Sequence, residues 1–198
     1  MFKKLIFPSL IAFSCLTATA QSADSIYDKY LDFNKARFEG QQDKLMGLGE
    51  QLLPVAGKLP EKARFNFYFS MGKLYEDNNQ SEKAVYYFEK VAAAVPDYYV
   101  VHRALGYQYL EEVKAIEIKL NASINNIAEN KRLTDVYIKA VKEALPHLEK
   151  AQACDPSDET LVIIKVLYKN IKDTAGLNSL NNRLKELSVH CIDILSDQ

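Results

Sequence analysis

Residues 65–109 read FNFYFSMGKLYEDNNQSEKAVYYFEKVAAAVPDYYVVHRALGYQY, and one pattern begins twice within them. Tyr68-x2-Met71-Gly72-x2-Tyr75 is followed by Ala84-x3-Phe88 and Pro96. His102-x2-Leu105-Gly106-x2-Tyr109 is followed by Ala144-x3-Leu148 and Pro156, and Gly72 and Gly106 lie 34 residues apart. Tyr68, Met71 and Tyr75 recur at helical spacing and share one helix face. Val85, Phe88, Val91, Ala92 and Val95 form the facing stripe on a second helix. Glycine inside a helix costs about 1 kcal/mol relative to alanine, so Gly72 and Gly106 make sense only where another helix approaches closely. Ala84 and Ala144 are the matching small residues, and Pro96 and Pro156 close the second helices.

Outward from this stretch the same organisation continues. Residues 24–38 and 41–57 read as a degenerate first pair, with Pro54 inside its second helix. Glu61 to Asp77 and Ser81 to Val95 form the best pair, joined by Asp-Asn-Asn-Gln at 77–80, with Ser81 as the expected N-cap. In the next pair an extra 26 residues separate Tyr109 from Ala144. Val113, Ile116, Leu120, Ile124 and Ile127 continue a helical stripe there, and Leu133, Val136, Tyr137, Ala140 and Val141 return it. The insertion at 111–139 therefore predicts a helical hairpin with a polar tip near Asn125 to Arg132, and a kink at Pro146. Residues 158–171 and 175–195 make a last pair, with Ser157 or Asp158 as cap and Leu177, Leu180, Leu184 and Leu187 buried.

The motif resembles that of tetratricopeptide-repeat (TPR) proteins, whose unit is a pair of antiparallel helices with a 34-residue period. The resemblance is fullest over the repeat 65–98 and good over 99–158. It weakens over 159–195, where Lys165 in Leu161-x2-Ile164-Lys165-x2-Tyr168 replaces the glycine, and is faint over 24–60. It implies an all-α chain: a right-handed solenoid of about four antiparallel helix pairs, with atypical end units as caps.

In TPR proteins the first helices line a concave groove that holds a peptide or partner helix. Carried over residue by residue, that role falls on Asn66, Phe69 and Lys73, then on Arg103 and Tyr107, with Leu110, Val162 and Val166 continuing the line. The TPR clamp for a chaperone's terminal carboxylate is missing, since its positions carry Phe69, Lys73, Ala104, Glu159 and Ile163. The same geometry sets Cys154 and Cys191 at one height on neighbouring second helices, either as a disulfide or as two unpaired thiols.

The first twenty residues read as an address. Lys3 and Lys4 precede an apolar run from Leu5 to Leu16, and Ala18-Thr19-Ala20 offers a cleavage site, so residues 1–20 resemble a secretory signal peptide. Lipidation at Cys15 is disfavoured because Ala12-Phe13-Ser14 lacks the usual leucine and puts Phe13 where a small residue belongs. The expectation is an exported, periplasmic protein beginning at Gln21, with 21–198 as one helical-repeat domain. After removal of Lys3 and Lys4 the chain carries 23 basic and 26 acidic residues, which speaks against nucleic acid as partner. No later run is long enough to cross a membrane.

No H-E-x-x-H, C-x-x-C, G-x-S-x-G or phosphate-loop pattern occurs. His147, Cys154, His190 and Cys191 match no standard metal-ligand spacing. The reading is therefore a non-catalytic scaffold that binds a protein or peptide, with no cofactor and no metal. The alternatives are a self-assembling structural subunit of an envelope complex, or a periplasmic assembly factor holding unfolded clients.

Overall fold

The computed structural model describes residues 23–193. The expectations for 1–20, the leader and Cys15, lie outside the described residues. Eight α-helices account for most of what is described: α1 (Ala23–Phe38), α2 (Gln42–Leu52), α3 (Glu61–Asp77), α4 (Ser81–Ala94), α5 (Tyr99–Ala122), α6 (Ile127–Cys154), α7 (Asp158–Asn170) and α8 (Thr174–Leu187). A 3-10 segment, Leu53–Lys58, follows α2.

Three of the four helix pairs turn in the same way. At each turn one residue adopts left-handed backbone geometry: Gly40 (φ 67°), Asn79 (φ 57°) and Lys172 (φ 58°). The amide of the residue after it reaches back to a carbonyl in the last helical turn: Gln41 to Ala36 at 2.9 Å, Gln80 to Tyr75 at 2.8 Å and Asp173 to Tyr168 at 3.0 Å. This six-to-one closure satisfies carbonyls that the helix end would leave bare. Asp173 then caps α8 by accepting from the Gly176 amide at 2.8 Å. The α5–α6 pair departs from this turn because both helices continue as the arms of the inserted hairpin.

Contacts between pairs follow chain order. Phe33 of α1 meets Phe67 of α3 edge-on, with ring centroids 5.0 Å apart. Gln108 of α5 donates to Glu76 of α3 at 2.9 Å. The hydroxyls of Tyr107 in α5 and Thr160 in α7 lie 3.0 Å apart. First helices thus touch first helices along the chain. The buried core divides within α5: Val101 and Leu105 cluster with α1–α4, and Leu110, Val113 and Ile116 cluster with α6–α8. The motif glycines occupy the close approaches. A methyl at Gly72 would lie 2.4 Å from the Phe88 ring, and one at Gly106 would lie 2.8 Å from a Leu148 methyl.

Several boundaries differ from the sequence reading. α2 ends at Leu52, and Pro54 sits at the start of the 3-10 segment instead of kinking one long helix; proline lacks the amide that an α-helical ladder would need there. Gln80, not Ser81, takes the N-cap position of α4, without a side-chain cap bond. The hairpin tip is shorter than expected, because the Asn126 side chain accepts from the Glu129 amide at 3.2 Å and starts α6 at Ile127. α6 runs as one helix through Pro146. α8 ends at Leu187, so Cys191 lies in the segment after it and not on a helix.

Candidate protein-binding groove

Phe69 and Lys73 stand one helical turn apart on α3, so the spacing of four places them on one face. They line a cleft of about 140 Å³ with Arg37 and Gly40 of the first pair. Phe69 is half-buried. Its ring packs edge-on against Tyr98 at 5.2 Å and tilts against Phe88 at 5.7 Å. Lys73 is exposed and pairs with Glu76, which also accepts from Gln108. Asn66 lies one turn earlier on α3 and is half-buried.

On α5, Arg103 pairs with Asp155 at the end of α6, and its guanidinium carbon lies 5.4 Å from the centre of the Tyr99 ring. Tyr107 is half-buried, and its hydroxyl is engaged by Thr160. Val162 and Val166 on α7 are 59% and 45% exposed. Leu110 does not belong to this surface: it is buried in the second core, where α5 pairs with α6. The structure brings Phe69 and Lys73 into one cleft. Arg103 and Tyr107 are joined instead to the α6–α7 connection.

A second polar centre lies around consecutive buried charges on α6. Glu149 accepts two bonds from Arg183 of α8, at 2.8 and 2.9 Å, and one from the Tyr168 hydroxyl of α7 at 2.5 Å. Its charge is therefore paired and both of its oxygens accept hydrogen bonds, which is the condition for burying a carboxylate. The Lys150 ammonium donates to Asp97 at 3.0 Å, to the Leu187 carbonyl at 3.4 Å and to the His190 carbonyl. The chain after α8 crosses this lysine. Ile192 pairs with the segment before α5: its amide donates to the Asp97 carbonyl at 2.8 Å, and its carbonyl accepts from the Tyr99 amide at 3.1 Å. A disulfide joins Cys154 at the end of α6 to Cys191.

Beside this centre His102 and His147 face each other, their Nδ1 atoms 2.9 Å apart. One ring must donate and the other accept, so the contact requires at least one neutral imidazole. Burial pushes the His147 pKa down to about 4, with the neighbouring His102 adding to the effect. Burial also lowers His102; its contact with the Pro96 backbone opposes the shift, and Lys150 reinforces it.

Sequence reasoning missed the Glu149 and Lys150 arrangements. The signal was present: Val141, Ala144, Leu145 and Leu148 mark the buried stripe of α6, and helical spacing carries that stripe onto Glu149 and Gln152. Among the described residues no group of three or more His, Cys, Asp or Glu is arranged to hold a metal ion. No protein-family model, curated protein or solved structure matches this chain.

Proposed function

We propose that the protein is a non-catalytic, TPR-like scaffold of the bacterial envelope, which holds a peptide or partner protein against its first helices. The observation that carries this reading is the cleft shared by Phe69, Lys73 and Arg37, where an aromatic face and two cations meet at the junction of two helix pairs. Aromatic residues and arginine are enriched at protein interfaces, and Phe69 and Arg37 supply both kinds here. The row of contacts from α1 through α3 and α5 to α7 supports extending that surface toward Arg103, Val162 and Val166. Lys73 of the cleft and Arg103 of the extended surface already sit beside carboxylates, Glu76 and Asp155 respectively. A partner carboxylate would exchange with these exposed pairs at little electrostatic cost.

Export to the periplasm follows in this reading from the leader-like 1–20, and the Cys154–Cys191 disulfide supports an oxidising compartment. The test is capture from envelope extract by the exported protein, by Lys73→Glu with Arg103→Glu, and by Lys165→Glu as the control reversal. Selective loss of a discrete partner with the first variant is expected. Equal capture by all three proteins would remove the groove from consideration. A monomer that becomes a stable assembly only with itself would favour the structural-subunit alternative.

A further inference from the structure

The inserted hairpin ends in a surface that nothing in the fold covers. Ile124 and Ile127 flank the turn between α5 and α6 and are 69% and 86% exposed, and Ile118, about one and a half turns back on α5, is 71% exposed. Large aliphatic side chains so exposed and so close together are unusual on a soluble surface whose other hairpin positions are patterned for burial. The arms themselves are well packed, with Val113, Ile116 and Tyr137 buried in the core shared with the last pair and Leu133 buried further out. The isoleucines are therefore not the residue of a poorly formed hairpin.

Charge around the apex is arranged asymmetrically. From Ile118 to Ala128 there is one cation, Lys119, and the flanking acids are Glu117, exposed and further from the apex than the turn's own residues, and Glu129. Lys131 and Arg132 follow on the first turns of α6, and the acid at that level, Glu129, is engaged by Arg132 at 2.6 Å. Among the described residues neither Lys119 nor Lys131 takes part in a salt bridge. Two lysines without a salt bridge among the described residues, Lys119 and Lys131, thus stand behind an apolar apex, with Glu129 already matched by Arg132. At 1.5 Å per residue these lysines stand about 6–8 Å behind the turn.

We propose that this tip docks on an anionic lipid bilayer. Ile124 and Ile127 would enter the boundary between headgroups and acyl chains, with Ile118 following at its edge. Lys119 and Lys131 would lie at the level of the lipid phosphates. The spacing fits: interfacial elements bury their apolar side about 5–10 Å deep, and long basic side chains reach back to the phosphates from that depth. Few exposed apolar residues give weak attachment alone, and nearby cations add to it on anionic membranes. The contact is peripheral, since no helix among the described residues is long and apolar enough to cross a membrane. It does not depend on the groove at Phe69 and Lys73, so either reading can fail without the other.

The chain contains no tryptophan, so Asn125→Trp in the processed chain that begins at Gln21 gives a single reporter at the apex. The expected result is a blue shift of its emission, with quenching by brominated acyl chains, on vesicles of mixed phosphatidylglycerol and phosphatidylcholine. Pure phosphatidylcholine should leave it nearly unchanged. Ile124→Ser with Ile127→Ser, and separately Lys119→Gln with Lys131→Gln, should each weaken vesicle flotation of the same processed chain by about tenfold. The leader is left out because an apolar run behind Lys3 and Lys4 would itself hold every variant on anionic vesicles, and unchanged helical circular dichroism confirms the fold. A reporter that stays water-exposed on the mixed vesicles would overturn the proposal, as would equal flotation of all variants. Dissociation of a wild-type dimer by the isoleucine substitutions, without any vesicle shift, would also overturn it and make the tip a self-association surface.

Discussion

At the scale of single residues, Gly106 and Gly72 show how much a motif can disclose. The atoms that crowd them belong to Leu148 and Phe88, the residues that the repeated pattern sets four places after Ala144 and Ala84. That contact was legible because glycine inside a helix needs a reason. At Gly106 an added methyl would also lie 3.1 Å from the Leu148 backbone nitrogen, which cannot swing aside. Gly106→Ala should therefore be destabilising despite about 1 kcal/mol of gained helix propensity, and Gly106→Leu should add about 1–3 kcal/mol of overpacking. Equal melting temperatures for the two variants would count against a close helix contact. His102 could be read as a packed residue, but its partner His147 could not, because a contact across 45 positions is set by how α5 and α6 rotate against each other. The pair has a pH signature. With His147 at about 4 when folded against an ordinary 6.5, the unfolded chain takes up the proton first. Stability should thus be full above about pH 6.5 and fall as pH drops toward 4, by up to about 2 kcal/mol at pH 5 from His147 alone. In His147→Gln the slope of melting temperature against pH should flatten across that window, whereas an unchanged slope would assign the acid sensitivity elsewhere.

At the scale of elements, helix existence was readable and helix ends were less so. The stripes of α3, α4 and the hairpin arms follow apolar spacing, which does not depend on distant partners. Ends depend on local chemistry that sequence ranks poorly. Gly40 marks its left-handed turn openly, and Asn79 tolerates one, but Lys172 gives no hint that it occupies the same conformation. Asn126 started α6 within a stretch read as tip, because any of several asparagines there could have capped it. The hairpin itself gives a prediction. Ile116 and Tyr137 tie its base to the second core, Tyr137 accepting a 3.0 Å bond from the Asn170 amide of α7, and Leu120 is the outer-arm residue that still packs against that core. Removing 117–134 and joining the ends by a short turn should leave a protein that unfolds in one cooperative transition. Loss of that cooperativity in thermal unfolding would make the insertion part of the core.

At the scale of the whole molecule, an all-α chain was legible throughout, while the path of the chain after α8 was not. The expectation for Cys154 and Cys191 placed both on parallel helices; the structure instead joins them through a tail that folds back over Lys150. Nothing in the apolar pattern marks such a return, because it is built from backbone pairing at Ile192 and from carbonyls at Leu187 and His190. A bridge spanning 37 positions should contribute about 4 kcal/mol in the chain-entropy model. Cys154→Ser with Cys191→Ser should lower the melting temperature accordingly, and thiol titration of the denatured, unreduced chain should find neither Cys154 nor Cys191 free. The bridge also decides how the molecule bears mechanical load. Tension applied at the two ends passes from Cys154 directly to Cys191, so α7 and α8 lie in a loop that carries no force. Pulled to full extension, the oxidised chain should come up short of the reduced one by about 120 Å. The last helix pair would stay slack while every other element is drawn out.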